Sequence, residues 1–257
     1  MCMMVSRISD EKELKEIHRL RYKVYCREWG FEKQGKYSDG IVTDIYDNNA
    51  LHFAVKDYSR KIVGAVSLIL NSPEGFPTEK YCELNINPDN LPGDSTGEIA
   101  WLVIHRDYRR RAEDKYIYGP DEERRSIGSF DFSSVYLNNR SNNRTYFRRS
   151  DDKYRYRGTR RTNNESYSER RRRHEVVVAL YKAVYQESKK RGLTHWYAVM
   201  TKGIVTLLNK FGFDFQAIGD PVDYHGIRTP YLGEIKNTEQ EMSDKNPQLY
   251  EEFIRGL

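Results

Sequence analysis

Residues 98–111 read EIAWLVIHRDYRRR. A carboxylate, Glu98, opens the stretch, an apolar run over residues 99–104 follows, and Arg109, Arg110 and Arg111 close it. The run is too short and too rich in Ile, Val and Trp for a helix, and it fits a buried strand. A strand entering a basic turn suits a site where the strand edge holds a ligand and the turn holds its phosphates. The same residues also read as a core strand followed by a basic loop.

Working back from this strand, residues 51–56 and 62–70 predict two antiparallel strands joined by a turn over residues 57–61. Gly64 inside the second marks a bulge or a close backbone approach. Prolines 73, 77, 88 and 92 keep residues 71–97 irregular. Asp10, with Glu13 three residues on, starts an amphipathic helix reaching about Gly30. On it Arg21 falls among the apolar positions Leu14, Ile17, Val24 and Tyr25, so a carboxylate partner is implied. Cys26 reads as a small buried residue rather than a nucleophile. Asp44 and Asp47, with His52 beyond, can bind a metal or an amine, but acids so spaced more often cap turns.

Working forward, residues 112–173 are rich in Arg, Asn, Ser, Asp and Tyr and poor in aliphatics, which predicts a mostly disordered insertion. Its interleaved Arg and Tyr can bind single-stranded nucleic acid, although a solvated low-complexity loop is the favoured reading. Beyond it come a helix from His174 to Gly192, a strand over 195–200, a helix over 202–211 capped by Gly212, and strands at FDFQAI and RTPYLGEI. A last helix is expected from about Ser243. The chain divides as residues 1–111, the insertion 112–173, and residues 174–257, and the pattern argues for an α/β sheet flanked by helices.

The 257 residues carry a net charge of +5, too small to call for nucleic acid by itself. Three cysteines without C-x-x-C spacing argue against a disulfide framework and a zinc site. Neither a signal peptide nor a transmembrane run is legible, and a cytoplasmic protein is expected.

Taken in order, RYKVYCREWGF, DGIVTDIYD, IVGAVSLIL, EIAWLVIHRDYRRR and IGDPVDYHGIRTPY resemble the acyltransferases associated with the PEP-CTERM/exosortase system. That family is related to N-acyl amino acid synthases and acyl-homoserine-lactone synthases. The resemblance spans residues 7–111 and 174–235. It implies the Gcn5-related N-acyltransferase fold, a mixed and mostly antiparallel sheet, here with a long polar insertion. It also implies transfer of a long acyl group from acyl carrier protein or acyl-coenzyme A to a small amine, with no permanently bound cofactor and no metal.

By this resemblance Glu98 is the catalytic base, and Arg21, Trp29, Asp44 and Asp47 shape the substrate site. The backbone of Leu102, Val103 and Ile104 pairs with the donor's pantetheine arm, and Arg109–Arg111 meet its phosphates. His225 and Arg228, in the late motif, join the substrate-binding set. Two positions depart from the family, which has arginine where Trp101 and Ser67 stand. The loop after Ile104 also lacks the glycine-rich pattern of common acetyltransferases, which favours acyl carrier protein as donor partner. Competing readings are an acetyl-coenzyme A-dependent N-acetyltransferase and a non-catalytic protein that binds nucleic acid or an acidic partner through the insertion.

Overall fold

The computed structural model describes residues 4–108 and 163–257, with side chains of the first long helix after the gap described from Glu175 onward. Residues 109–162, which include Arg109–Arg111 and most of the stretch read as an insertion, lie outside the described residues.

An eight-stranded sheet runs in the order β1-β2-β3-β4-β5-β8-β6, with β7 paired to β8. Its strands are β1 (Met4–Ile8), β2 (Ala50–Lys56), β3 (Ile62–Leu70), β4 (Thr96–Ile104), β5 (His195–Met200), β6 (Phe215–Ala217), β7 (Val222–Asp223) and β8 (Ile227–Glu234). All pairings are antiparallel except β4 with β5. The expected hairpin of β2 and β3 is present, with His52 opposite Ser67.

Helices cover both faces. Helix α1 (Glu11–Arg21) starts where Asp10 accepts a bond from the Glu13 amide at 3.0 Å, the predicted cap. Its Ile17 and Leu20 pack with Ala54, Ala65 and Val103. On the other face α3 (Asn163–Lys190) sets Val176, Leu180 and Val184 against Val63, Val66 and Leu68. Gly64 answers to this helix, because a Cβ there would lie 2.7 Å from a Val176 methyl.

Several boundaries differ from the sequence reading. The first helix is α-helical only to Arg21 and continues as a π-helix over Tyr22–Glu28, which turns Tyr25 inward. Such π-segments often mark functional sites. Strand β1 was not foreseen, being a short edge strand with little alternation to betray it. A helix, α2 (Pro77–Tyr81), interrupts the proline-rich stretch, with Pro77 in the first turn where a missing N–H costs nothing. Helix α3 begins at Asn163, before His174. Helix α4 (Lys202–Lys210) follows as expected. The last helix is two, α5 (Ile235–Lys245) and α6 (Pro247–Ile254), broken at the proline rather than starting at Ser243.

Gly212, after α4, has φ +91°, and a Cβ there would lie 2.5 Å from the Met242 Cα. Both the dihedral and the backbone contact exclude a side chain. Gly212→Ala is expected to lose at least ~1–3 kcal/mol. Urea denaturation measures it, and an unchanged midpoint would contradict this packing of α4 against α5.

Candidate active site

β4 pairs with β3 along its length, but with β5 only through Thr96, Gly97 and Glu98. Past Glu98 the two strands part. A cavity of about 60 Å³ opens between them, with Ile99, Ala100, Trp101, Leu102 and Ile104 on one wall and Val199, Met200, Thr201 and Ile204 on the other. A bulge directs the divergence. Ser67 faces Ala100 and Ala65 faces Val103, so Trp101 and Leu102 together oppose Val66. Trp101 takes the left-handed conformation, φ +54°, a state costing roughly 1–3 kcal/mol that the surroundings must enforce.

Val24, Tyr25, Trp29, Phe31 and Arg228 also belong to the lining of the cavity. The Arg228 guanidinium stands 5.3 Å from the Phe31 ring centre and 5.5 Å from that of Tyr25, and its Nε donates to the His225 carbonyl at 3.2 Å. Among the described residues no carboxylate pairs with it. The β7–β8 turn packs against this lining. Gly226 packs so closely on Phe31 that a Cβ would lie 2.6 Å from the ring. His225 Nδ1 is 2.6 Å from Glu32 Oε1, and its ring is 5.0 Å from that of Trp101. Burial and then Arg228 hold the His225 imidazole below its usual range, and Glu32 opposes them.

Behind Trp101 lies a buried polar cluster. Arg21 is fully buried and contacts both oxygens of Asp47 at 2.9 Å. This supplies the carboxylate partner that its place on the helix required. Its Nη2 donates to Ser67 Oγ at 2.8 Å, and its guanidinium carbon lies 4.8 Å from the Trp101 ring centre. Asp44 and Asp47 form a capping box on the turn Ile45–Asn49, so the bland reading of their spacing holds. Asp44 Oδ2 also accepts from Trp101 Nε1 at 2.7 Å. Burial and then Asp47 raise the Asp44 pKa, and the indole bond opposes them. Trp101 thus gives an acid the donor that an arginine there would have given, and Arg21 supplies the charge at Ser67.

Glu98 is 2% exposed and accepts a bond from the Thr78 amide at 2.9 Å. Burial pushes its pKa up to about 8, against the bond from Thr78. It does not line the cavity. The buried Tyr46 hydroxyl, pushed up to about 12 by burial, Tyr81 and Glu98, has no hydrogen-bond partner among the described residues.

Of the residues singled out in the sequence, Trp29, Leu102, Ile104 and Arg228 line the cavity, while Val103 faces the core. Arg21, Asp44 and Asp47 meet behind Trp101, His225 caps it, and Glu98 sits at the point where the strands part. Sequence reasoning missed Tyr25 and Phe31 as site residues and treated Trp101 and Ser67 only as departures. A bulky residue in place of an expected charge, beside a buried Arg and an acid pair, was the available signal.

Residues 20–118 match the acetyltransferase (GNAT) domain. No curated protein matches the sequence. Among solved structures, the acyl-homoserine lactone synthase LasI aligns at TM-score 0.57 and 14% identity, covering 95% of each chain. The coenzyme A-dependent acyl-homoserine lactone synthase BjaI, solved with SAM and isopentyl-CoA, aligns at 0.57 and 14%, covering 96% of this chain and 90% of that one. FeeM, an N-acyl amino acid synthase from uncultured soil microbes, aligns at 0.53 and 9%, covering 93% and 94%. The chain therefore has the Gcn5-related N-acyltransferase fold, and the domain match together with that fold supports an acyltransferase enzyme.

Proposed function

We propose that the protein moves a long acyl group from a thioester to an amine such as an amino acid, forming an amide. The carrying observation is the cavity where β4 and β5 part. There β4 presents a strand edge with no strand partner among the described residues, and an extended pantetheine arm can pair with it as a strand would. The apolar walls from Ile99 to Ile104 and from Val199 to Ile204 suit the acyl part next to the thioester. The motifs quoted above support a place within the PEP-CTERM/exosortase-associated acyltransferases.

In the reaction the amine nitrogen bonds to the thioester carbon, the carbon–sulfur bond breaks, and the thiol leaves with a proton. Glu98 takes the ammonium proton through an intervening hydroxyl or water, since it does not line the cavity. Backbone amides of the β4 edge stabilise the oxyanion. Arg228, which lines the cavity and has no carboxylate partner among the described residues, holds the acceptor's carboxylate.

The donor is best read as acyl carrier protein. Lys23, Lys61 and Arg106 gather around His105 at the end of β4 with one acid, Asp107, among them; burial and the two lysines hold that imidazole below its usual range, and Asp107 opposes them. Such a basic rim complements an acidic carrier.

The test incubates the full chain with acyl carrier protein or coenzyme A thioesters of two to sixteen carbons and a mixture of amines, followed by mass spectrometry. Acyl-amine products with long chains are expected, and their absence for every donor would sink the proposal. In the same assay Arg228→Met is expected to raise KM for amino acids by about 10- to 100-fold with little change for amines lacking a carboxylate. An equal loss for both acceptor types would remove Arg228 from carboxylate binding.

A further inference from the structure

His18 on α1, Asp47 on the capping-box turn and His52 on β2 bring three metal-ligand types together. One donor atom from each lies within 4.8 Å of the other two. His18 Nε2 is 3.8 Å from Asp47 Oδ2, and His52 Nε2 is 3.8 Å from Asp47 Oδ1. These separations are too long for hydrogen bonds and only slightly longer than the ~3.3 Å between ligands around a tetrahedral zinc. The three side chains are 12%, 11% and 6% exposed, and His18 Nε2 is buried without a hydrogen-bond partner.

We propose that these three residues bind a divalent first-row transition ion, zinc or cobalt in class, leaving one position for water. Ser67 Oγ lies 2.9 Å from His52 Nδ1 and already accepts from Arg21. Arg21 Nη2 also stands 3.4 Å from Nδ1, and metal uptake calls for the tautomer whose Nδ1–H donates to the second lone pair of Ser67 Oγ, turning the Nε2 lone pair toward the ion. The small hydroxyl of Ser67 beside His52 is what permits this arrangement.

Arg21 is the opposing charge, and it does not close the site. A carboxylate offers about four lone-pair positions. At Asp47 three are taken, two by Arg21 Nη1 and one on Oδ2 by the Asp44 amide. The fourth is on Oδ1, the oxygen facing His52, and that atom is the assigned ligand, while His18 Nε2 approaches the same carboxylate from the Oδ2 side. Asp44, bonded to Trp101, stands beside the cluster. Two imidazole nitrogens and one carboxylate oxygen form a set suited to zinc, with an open fourth position.

The inference rests on these side chains and not on the acyl-transfer reading. The test strips the untagged full chain with a chelator and titrates it with Zn²⁺ by calorimetry and with Co²⁺ by visible absorption. One ion per chain is expected, with a thermal midpoint raised by a few degrees at saturating Zn²⁺. His18→Gln and His52→Gln should each abolish tight uptake. Ser67→Ala, which keeps every ligand, should weaken it by about 10- to 100-fold. His18, 12% exposed against 6% for His52, is the less buried of the two, so His18→Gln remains informative if His52→Gln does not fold. No saturable uptake by the wild type, or uptake unchanged in His18→Gln, overturns the proposal.

Discussion

Glu98→Gln is expected to lower acyl transfer by roughly 100- to 10,000-fold, the range that a positioned general base contributes. The wild-type rate should rise with pH to a plateau above about 8, the value to which burial pushes this carboxyl. Stability supplies an independent reading of the same group. Its folded pKa lies above the ordinary 4.5, so between pH 4.5 and 8 the folded state keeps a proton that the unfolded state has lost. Wild-type stability therefore falls as pH rises through that window, by on the order of a few kcal/mol. Glutamine removes the slope, and at pH 9 the variant should be the more stable protein. A folded variant with wild-type turnover and pH profile would take the catalytic role away from Glu98.

The second large effect concerns stability alone. Arg21→Met leaves Asp47 in a nearly closed site without its guanidinium partner, and also frees the Ser67 hydroxyl. Breaking a buried pair on one side costs about 3–5 kcal/mol. Urea denaturation should show that loss, and the double change Arg21→Met with Asp47→Asn should recover part of it, because no unpaired charge then remains buried. A loss in the double variant equal to the sum of the single losses would mean that the two residues are not coupled.

Much of this architecture was legible in the chain. The β2–β3 hairpin, the β4 strand and the α4 helix follow from local alternation and periodicity, which depend on neighbouring residues only. The need of Arg21 for a carboxylate was also legible, because a guanidinium on an apolar stripe has few alternatives. What stayed hidden depends on contacts between distant segments. The bulge at Trp101 arises from its register with β3, and the pairing of His52 with Ser67 from strand alignment. The break between α5 and α6 was missed because Ser243 looked like a cap, while Pro247 made the actual start. The distance of Glu98 from the cavity is likewise a tertiary fact, since its place in the strand says which face it takes but not what covers it.

The parting of β4 and β5 has one more consequence. An unpaired strand edge at the rim of a sheet is a template for aggregation, and proteins usually blunt it with charges, prolines or short strands. Here the open edge lies inside the sheet, bordered by Val199, Met200 and Ile204 rather than by bulk solvent. A cavity of about 60 Å³ has no room for a neighbouring polypeptide strand with its side chains, whereas a thin unbranched chain asks for less. The fold can thus keep an adhesive edge permanently available and still resist association with other copies of itself.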